Sequence, residues 1–149
     1  MTTSRHLTLR NTVVQLLQAA PALAGGRVKP GRQREVMVAT ANEEIRVWLH
    51  TSPATRLTIH PNAPQQWQTT IAVHCMARDA DGVDADTRAD ALAQAAIQRL
   101  MGVPKAELGP GVQDREITNA TWEGEALDTN VADVVLAFSI QHRTPGGAF

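Results

Sequence analysis

Val131-Ala132-Asp133-Val134-Val135-Leu136-Ala137-Phe138-Ser139-Ile140-Gln141-His142-Arg143 is the stretch on which the fold turns. Val134, Leu136, Phe138 and Ile140 fall at every second position, with Val135, Ala137, Ser139 and Gln141 between them. Side chains of a strand alternate between two faces, so this is a strand with one strongly apolar face. Just before it, Trp122-Glu123-Gly124-Glu125-Ala126-Leu127-Asp128 reads as a polar turn. Asp114 to Thr121 reads as another strand.

Working outward, Trp67 to Arg78 has the same texture. Trp67, Thr69, Ile71, Val73 and Cys75 share one face, and Ala72, His74 and Met76 the other. Asp79-Ala80-Asp81-Gly82 is a turn. A helix follows, capped by Asp84 or Asp86, with Ala89, Leu92, Ala93, Ala96 and Leu100 as its buried stripe. Gly102 and then Pro104 are expected to stop it. Lys105 to Gln113, with Gly109-Pro110-Gly111, reads as a loop.

Toward the N-terminus, Leu9, Val13, Leu16, Leu17 and Ala20 lie on one face of a 3.6-residue period. Thr3 or Ser4 can cap that helix, and Pro21 with Gly25-Gly26 ends it. Gly25 to Arg34 is expected to be a basic loop carrying Arg27, Lys29, Arg32 and Arg34. Val36 to Thr40 is a short extended candidate. Ile45, Val47 and Leu49 alternate with Arg46, Trp48 and His50 as in a half-buried strand. Three prolines between Ser52 and Gln66 confine any strand near Leu57 to Ile59 to a short or edge position.

Runs of neighbouring strands with two separate helices predict an α+β fold, an antiparallel or mixed sheet with both helices packed on it. Regular βαβ alternation is missing, which argues against a doubly wound nucleotide fold. The 149 residues suit one domain, 1–149, with 145–149 as a frayed tail.

Composition narrows the function classes. Fourteen basic and 15 acidic residues leave a net charge of -1, so no global field draws the chain to nucleic acid or an anionic membrane. Three Trp, two Phe and no Tyr leave the core to aliphatic side chains. The single Cys75 excludes an internal disulfide and suits a reducing compartment. No apolar run approaches the ~20 residues of a membrane span, so the expectation is a soluble intracellular protein.

Catalytic and metal signatures are equally thin. His74 and Cys75 are strand neighbours pointing to opposite faces, so they do not converge on one metal, and no second Cys exists. The expectation is Cys75 in the core and His74 half exposed. Asp79, Asp81, Asp84, Asp86 and Asp90 lack the ligand order of a calcium loop, since Val83 takes a ligand position and no Glu closes the loop. Turn formation and helix capping account for them. His50, His60, His74 and His142 are scattered, no Ser sits in a nucleophile elbow, and the glycine pairs match no phosphate-binding loop. No catalytic residue, cofactor or metal is therefore expected.

The basic segment Arg27, Lys29, Arg32 and Arg34 remains as the local charge feature, either a solvated loop or a contact with phosphate or an acidic partner. Without interleaved aromatics it is not a nucleic-acid module by itself.

The order of these segments resembles a known family. An amphipathic first helix ends in a Gly-containing basic loop. Trp67-Gln68-Thr69-Thr70-Ile71-Ala72-Val73 leads into an acidic turn and the helix Asp84 to Leu100. A Trp-containing segment precedes the closing strand Ala132 to Thr144. Over Leu9 to Thr144 this is similar to the tail terminator proteins of long-tailed bacteriophages, the family of the lambdoid minor tail protein U, and their prophage relatives. The resemblance implies an α+β structural subunit that is not an enzyme. It caps the tail tube as a ring, a hexamer when assembled. The ring ends tail polymerisation and presents the surface for head attachment. Its partners are then the tail tube protein, the head-tail connector and DNA passing through the lumen, with no membrane. It assembles in the host cytoplasm and resides in the virion tail. Arg27, Lys29, Arg32 and Arg34 become candidate assembly or lumen contacts. A ring needs two unlike patches, and the basic segment and the acids Asp79 to Asp90 are the candidates. The competing readings are a head-completion or connector protein of the head-tail joint and, from another class, a small DNA-binding regulator or a small enzyme of host metabolism. The second helix, with Arg88 and Arg99 as its cations, makes a poor recognition helix.

Overall fold

Two 14-residue strands, β4 (Gln65–Arg78) and β6 (Val131–Thr144), pair antiparallel along their whole length, from Gln65 opposite Thr144 to Arg78 opposite Val131. The computed structural model describes residues 3–32, 42–124 and 131–149. Around that ladder the chain forms β1 (Val28–Pro30), β2 (Glu43–Thr51), β3 (Ala54–Arg56) and β5 (Val112–Gly124). The sheet has six strands in the order β1-β2-β4-β6-β5, and β3 pairs with the start of β4. All pairs are antiparallel except β1 with β2, which is parallel, so the sheet is mixed.

Both long helices lie on one face. Helix α1 (Arg5–Gln18) is capped by Ser4, whose hydroxyl accepts from the Leu7 N–H at 3.2 Å. It buries Leu9, Val13, Val14 and Leu17; Ala20 lies past its end and is exposed. Helix α2 (Ala85–Gly102) is capped by Asp84, which accepts from the Thr87 N–H at 2.8 Å. It buries the stripe Ala89, Leu92, Ala93, Ala96 and Leu100. These side chains meet Ile45, Val47, Ile71, Val73, Cys75, Val134, Leu136, Phe138 and Ile140 in one core. Register places those strand residues directly opposite one another, as with Ile71 and Phe138, so they share the helix-covered face.

The turn between β4 and α2 forms as its sequence requires. Asp81 (φ 53°) and Gly82 (φ 77°) take left-handed conformations inside an Ala80 to Val83 bridge. An Asn- or Asp-Gly pair is suited to that geometry because neither residue is strongly penalised there.

Several expectations need correction. The basic segment is not all loop: Val28–Pro30 pairs with Ile45, Arg46 and Val47. Leu57 to Ile59 is not strand, and the short strand there is Ala54–Arg56. Helix α2 ends without a left-handed glycine. Gly102 stays inside the helix, and Val103 turns extended (φ -78°, ψ 147°), as a residue before proline prefers. The expected loop after Pro104 contains a one-turn helix, α3 (Lys105–Leu108), whose Leu108 is buried. Trp122 to Gly124 continue β5 and are not turn. The candidate Val36 to Thr40, Arg34 and the part of the polar run from Glu125 to Asp128 lie outside the described residues. No helix among the described residues is long and apolar enough to cross a membrane.

Candidate functional site

The basic residues sit on the β1 edge of the sheet. Arg27 is half-buried, and its Nε donates to the Glu43 carbonyl at 2.7 Å. Lys29 lies within β1, opposite Arg46. Arg32 is exposed, with Nη2 at 3.4 Å from the Leu49 carbonyl. The structure therefore gathers three of the four sequence candidates on one edge and gives Arg27 a structural contact as well.

The face of the sheet away from the helices carries a shallow groove of about 430 Å³. Arg32, Trp48, His50, His74, Thr121 and Glu123 are among the side chains around it. Alternation within β2, β4 and β5 aims the strand residues among them to that face, and Arg32 reaches it from the bend after β1. At one end lies a buried polar group that sequence reasoning missed. His74 Nε2 is 3.1 Å from Asp133 Oδ2, and Arg46 Nε is 2.6 Å from Glu44 Oε1. Asp133 is 1 % exposed and His74 4 %, so His74 is buried and not half exposed. The ring of Trp48 meets that of His74 edge-on at 5.5 Å. Both faces of β4 are buried here, which single-strand alternation cannot reveal. Buried carboxylates persist when paired, and Asp133 and Glu44 each have a cationic or ionisable partner.

A second polar cluster closes the other end of the core. His142 Nε2 and Thr69 Oγ1 share a hydrogen bond of 2.7 Å, and Thr69 Oγ1 and Ser52 Oγ another of 2.7 Å. Trp67 Nε1 donates to Thr144 Oγ1 at 2.8 Å. The His6 ring packs against Trp67, His142 and Phe149. The terminal residues, read as a frayed tail, turn back here, and the Arg5 N–H donates to the Phe149 carbonyl at 3.2 Å. Burial, followed by the nearby His6 and Arg5, pushes the His142 pKa down to about 4. Burial also lowers that of His6. The hydroxyl-histidine chain has the composition of a hydrolytic site but not its geometry. His142 is fully buried, and no carboxylate orients its second nitrogen among the described residues.

Cys75 is buried in the core, and burial pushes its thiol up to about 12, so it is not a nucleophile. Three of the Asp79 to Asp90 acids, Asp79, Asp84 and Asp90, serve local structure. Asp79 Oδ1 accepts from the Ala85 N–H at 2.6 Å, and Asp84 caps α2, where hydrogen bonds from the Thr87 N–H and hydroxyl hold the Asp84 carboxyl below the usual range. Asp90 accepts from Gln94. No group of three or more His, Cys, Asp or Glu side chains among the described residues could hold a metal ion.

No family model matches the chain, and no curated protein matches it. Among solved structures, it is similar to a chain of the virion of a native gene transfer agent particle. The TM-score is 0.63 and the identity 15%, over 96% of this chain and 100% of that one. At that identity the two share a fold.

Proposed function

We propose that this chain is a structural protein of a phage-like particle and, within that class, a tail terminator. It caps the finished tail tube as a six-membered ring, stops polymerisation and offers the surface to which the head attaches. DNA passes through the lumen. The observation that carries this reading is the fold match to a virion chain over 96% of this chain and 100% of that one. The sequence resemblance to tail terminators supports the finer assignment. The hydroxyl-histidine cluster is buried, with no carboxylate on the second nitrogen of His142 among the described residues, which suits a subunit whose work is assembly.

A connector of the head-tail joint is the second reading, because the same fold match supports any particle component of this shape. Tail assembly separates the two. Removing a terminator from its phage gives tails of uncontrolled length, and adding the purified chain restores normal length in electron micrographs. Removing a connector leaves tails of normal length that fail to join heads. Normal tails and normal infectivity without the chain would reject both readings.

A further inference from the structure

The two long edges of the sheet carry opposite charge. On the β1 edge stand Arg27, Lys29 and Arg32. On the β5 edge, Asp114, Glu116 and Glu123 are exposed. Register puts all three of those carboxylates on the helix-free face, opposite Gln141, Ser139 and Asp133 of β6. Two nearby cations, Arg115 of β5 and Lys105 of α3, offset them only in part. Arg115 points to the helix side, where it donates to the Met101 carbonyl at 2.8 Å, and Lys105 approaches Asp114 alone at 3.7 Å. Trp122, 64 % exposed on β5, lies opposite Val134 and so on the helix side, away from these carboxylates.

Neither edge is built to extend the sheet. On β1, the Val28 carbonyl accepts from Gln18 Nε2 at 2.7 Å, and Pro30 has no N–H. On β5, the ladder is interrupted between Val112 and Asp114 and again between Ile117 and Asn119. Prolines and bulges are the means by which edge strands avoid adding another strand.

We propose that copies of this chain join head to tail through these edges, the basic β1 edge of one copy against the acidic β5 edge of the next. Unlike patches at opposite ends of one subunit generate a ring when the rotation closes. Charge complementarity sets the register and disfavours the two-fold arrangement that would set like edges together. The inference deepens the ring reading of the proposed function and rests on it.

Cross-linking between copies tests it without touching the six charges. P30C places a thiol on the exposed rim of the β1 edge, and T118C places one on the exposed bulge of β5. Cys75 is buried and stays silent to a short bis-maleimide. Mixing the two variants is expected to give a covalent dimer, while either variant alone gives none. Raising salt from about 0.1 M to about 1 M shortens the screening length from about 10 Å to about 3 Å and should reduce the dimer about tenfold. Adding R32E to the first variant, or E116R to the second, should abolish the dimer. Combining the two reversals should restore it. A dimer from one variant alone would mean like edges meet, and would overturn the proposal. So would a mixture that gives no dimer, or a dimer indifferent to charge reversal. The ring reading is scored separately, by capping of tail tubes with unmodified protein. Capping without the cross-link leaves the ring standing and removes this interface.

Discussion

His6 and His142, 136 positions apart in the chain, meet ring to ring at 5.3 Å and 70°, each also in contact with an aromatic or hydroxyl side chain of β4. Neither ring has room in its surroundings for a proton's charge, and both pKa values are lowered, chiefly by burial. The sign follows directly. Between pH 6.5 and about 4 the unfolded His142 binds a proton that the folded one refuses, so stability falls as pH drops through that window. The gap corresponds to a ceiling of about 3 kcal/mol. Urea midpoints at pH 7, 5.5 and 4 should decline. H142Q should flatten the decline, and an unchanged slope in that variant would refute the assignment.

Phe138 is fully buried opposite Ile71 at the centre of the β4–β6 ladder. Phe138→Ala removes a ring that the helices and sheet cannot collapse to fill, so a loss of ~3–5 kcal/mol is expected. Chemical denaturation measures it, and an unchanged midpoint would remove Phe138 from the core.

Asp133 is the acid that faces His74 at 3.1 Å in a buried site. Asp133→Ala strands the groups that surround it, and breaking a buried pair on one side costs ~3–5 kcal/mol. Asp133→Asn keeps the shape and part of the hydrogen bonding and should cost less. Thermal unfolding of both variants checks the order.

Arg27 and Arg32 should respond differently to reversal. Arg32→Glu is a surface change, expected within ~0.5 kcal/mol. Arg27→Glu loses the bond to the Glu43 carbonyl and sets a carboxylate against it, at a cost of ~1–3 kcal/mol. Equal urea midpoints for the two would contradict the structural contact of Arg27.

Cys75 should resist modification in the native protein. With its thiol pKa near 12, almost no thiolate exists at pH 8. Labelling with a thiol reagent should track global unfolding, rising with urea along the same curve as the loss of structure. Rapid labelling in buffer alone would place Cys75 outside the core.

The long periodic elements were legible because their signal is local. Alternation marked β4 and β6, and the i, i+3, i+4 spacing of Ala89, Leu92, Ala93 and Ala96 marked α2. What was missed depends on partners distant in sequence. Val28-Lys29-Pro30 is too short and too rich in turn formers to announce a strand, and it becomes one because Ile45 to Val47 lies alongside. His74 looked half exposed because alternation predicts one wet face, whereas Trp48 from β2 and Asp133 from β6 enclose it. His6 and His142 are unremarkable neighbours of Arg5 and Gln141 until the fold brings them together. Of the candidate site, the charges themselves were readable, but their acidic counterpart was sought in Asp79 to Asp90. Asp79 and Asp84 hydrogen-bond the turn and the helix start and remain exposed, and a second exposed carboxylate row lies on β5.

The β4–β6 ladder joins residues 65–78 to residues 131–144, across the whole of α2 and β5. A ribosome must therefore release nearly the entire chain before the middle of the sheet can close, and contacts of such long sequence separation form late. A product cut short before Val131 would carry β4 with its most apolar flank unclaimed, a surface open to aggregation. Translation thus inspects its own output: only a chain extended through β6 can bury that flank.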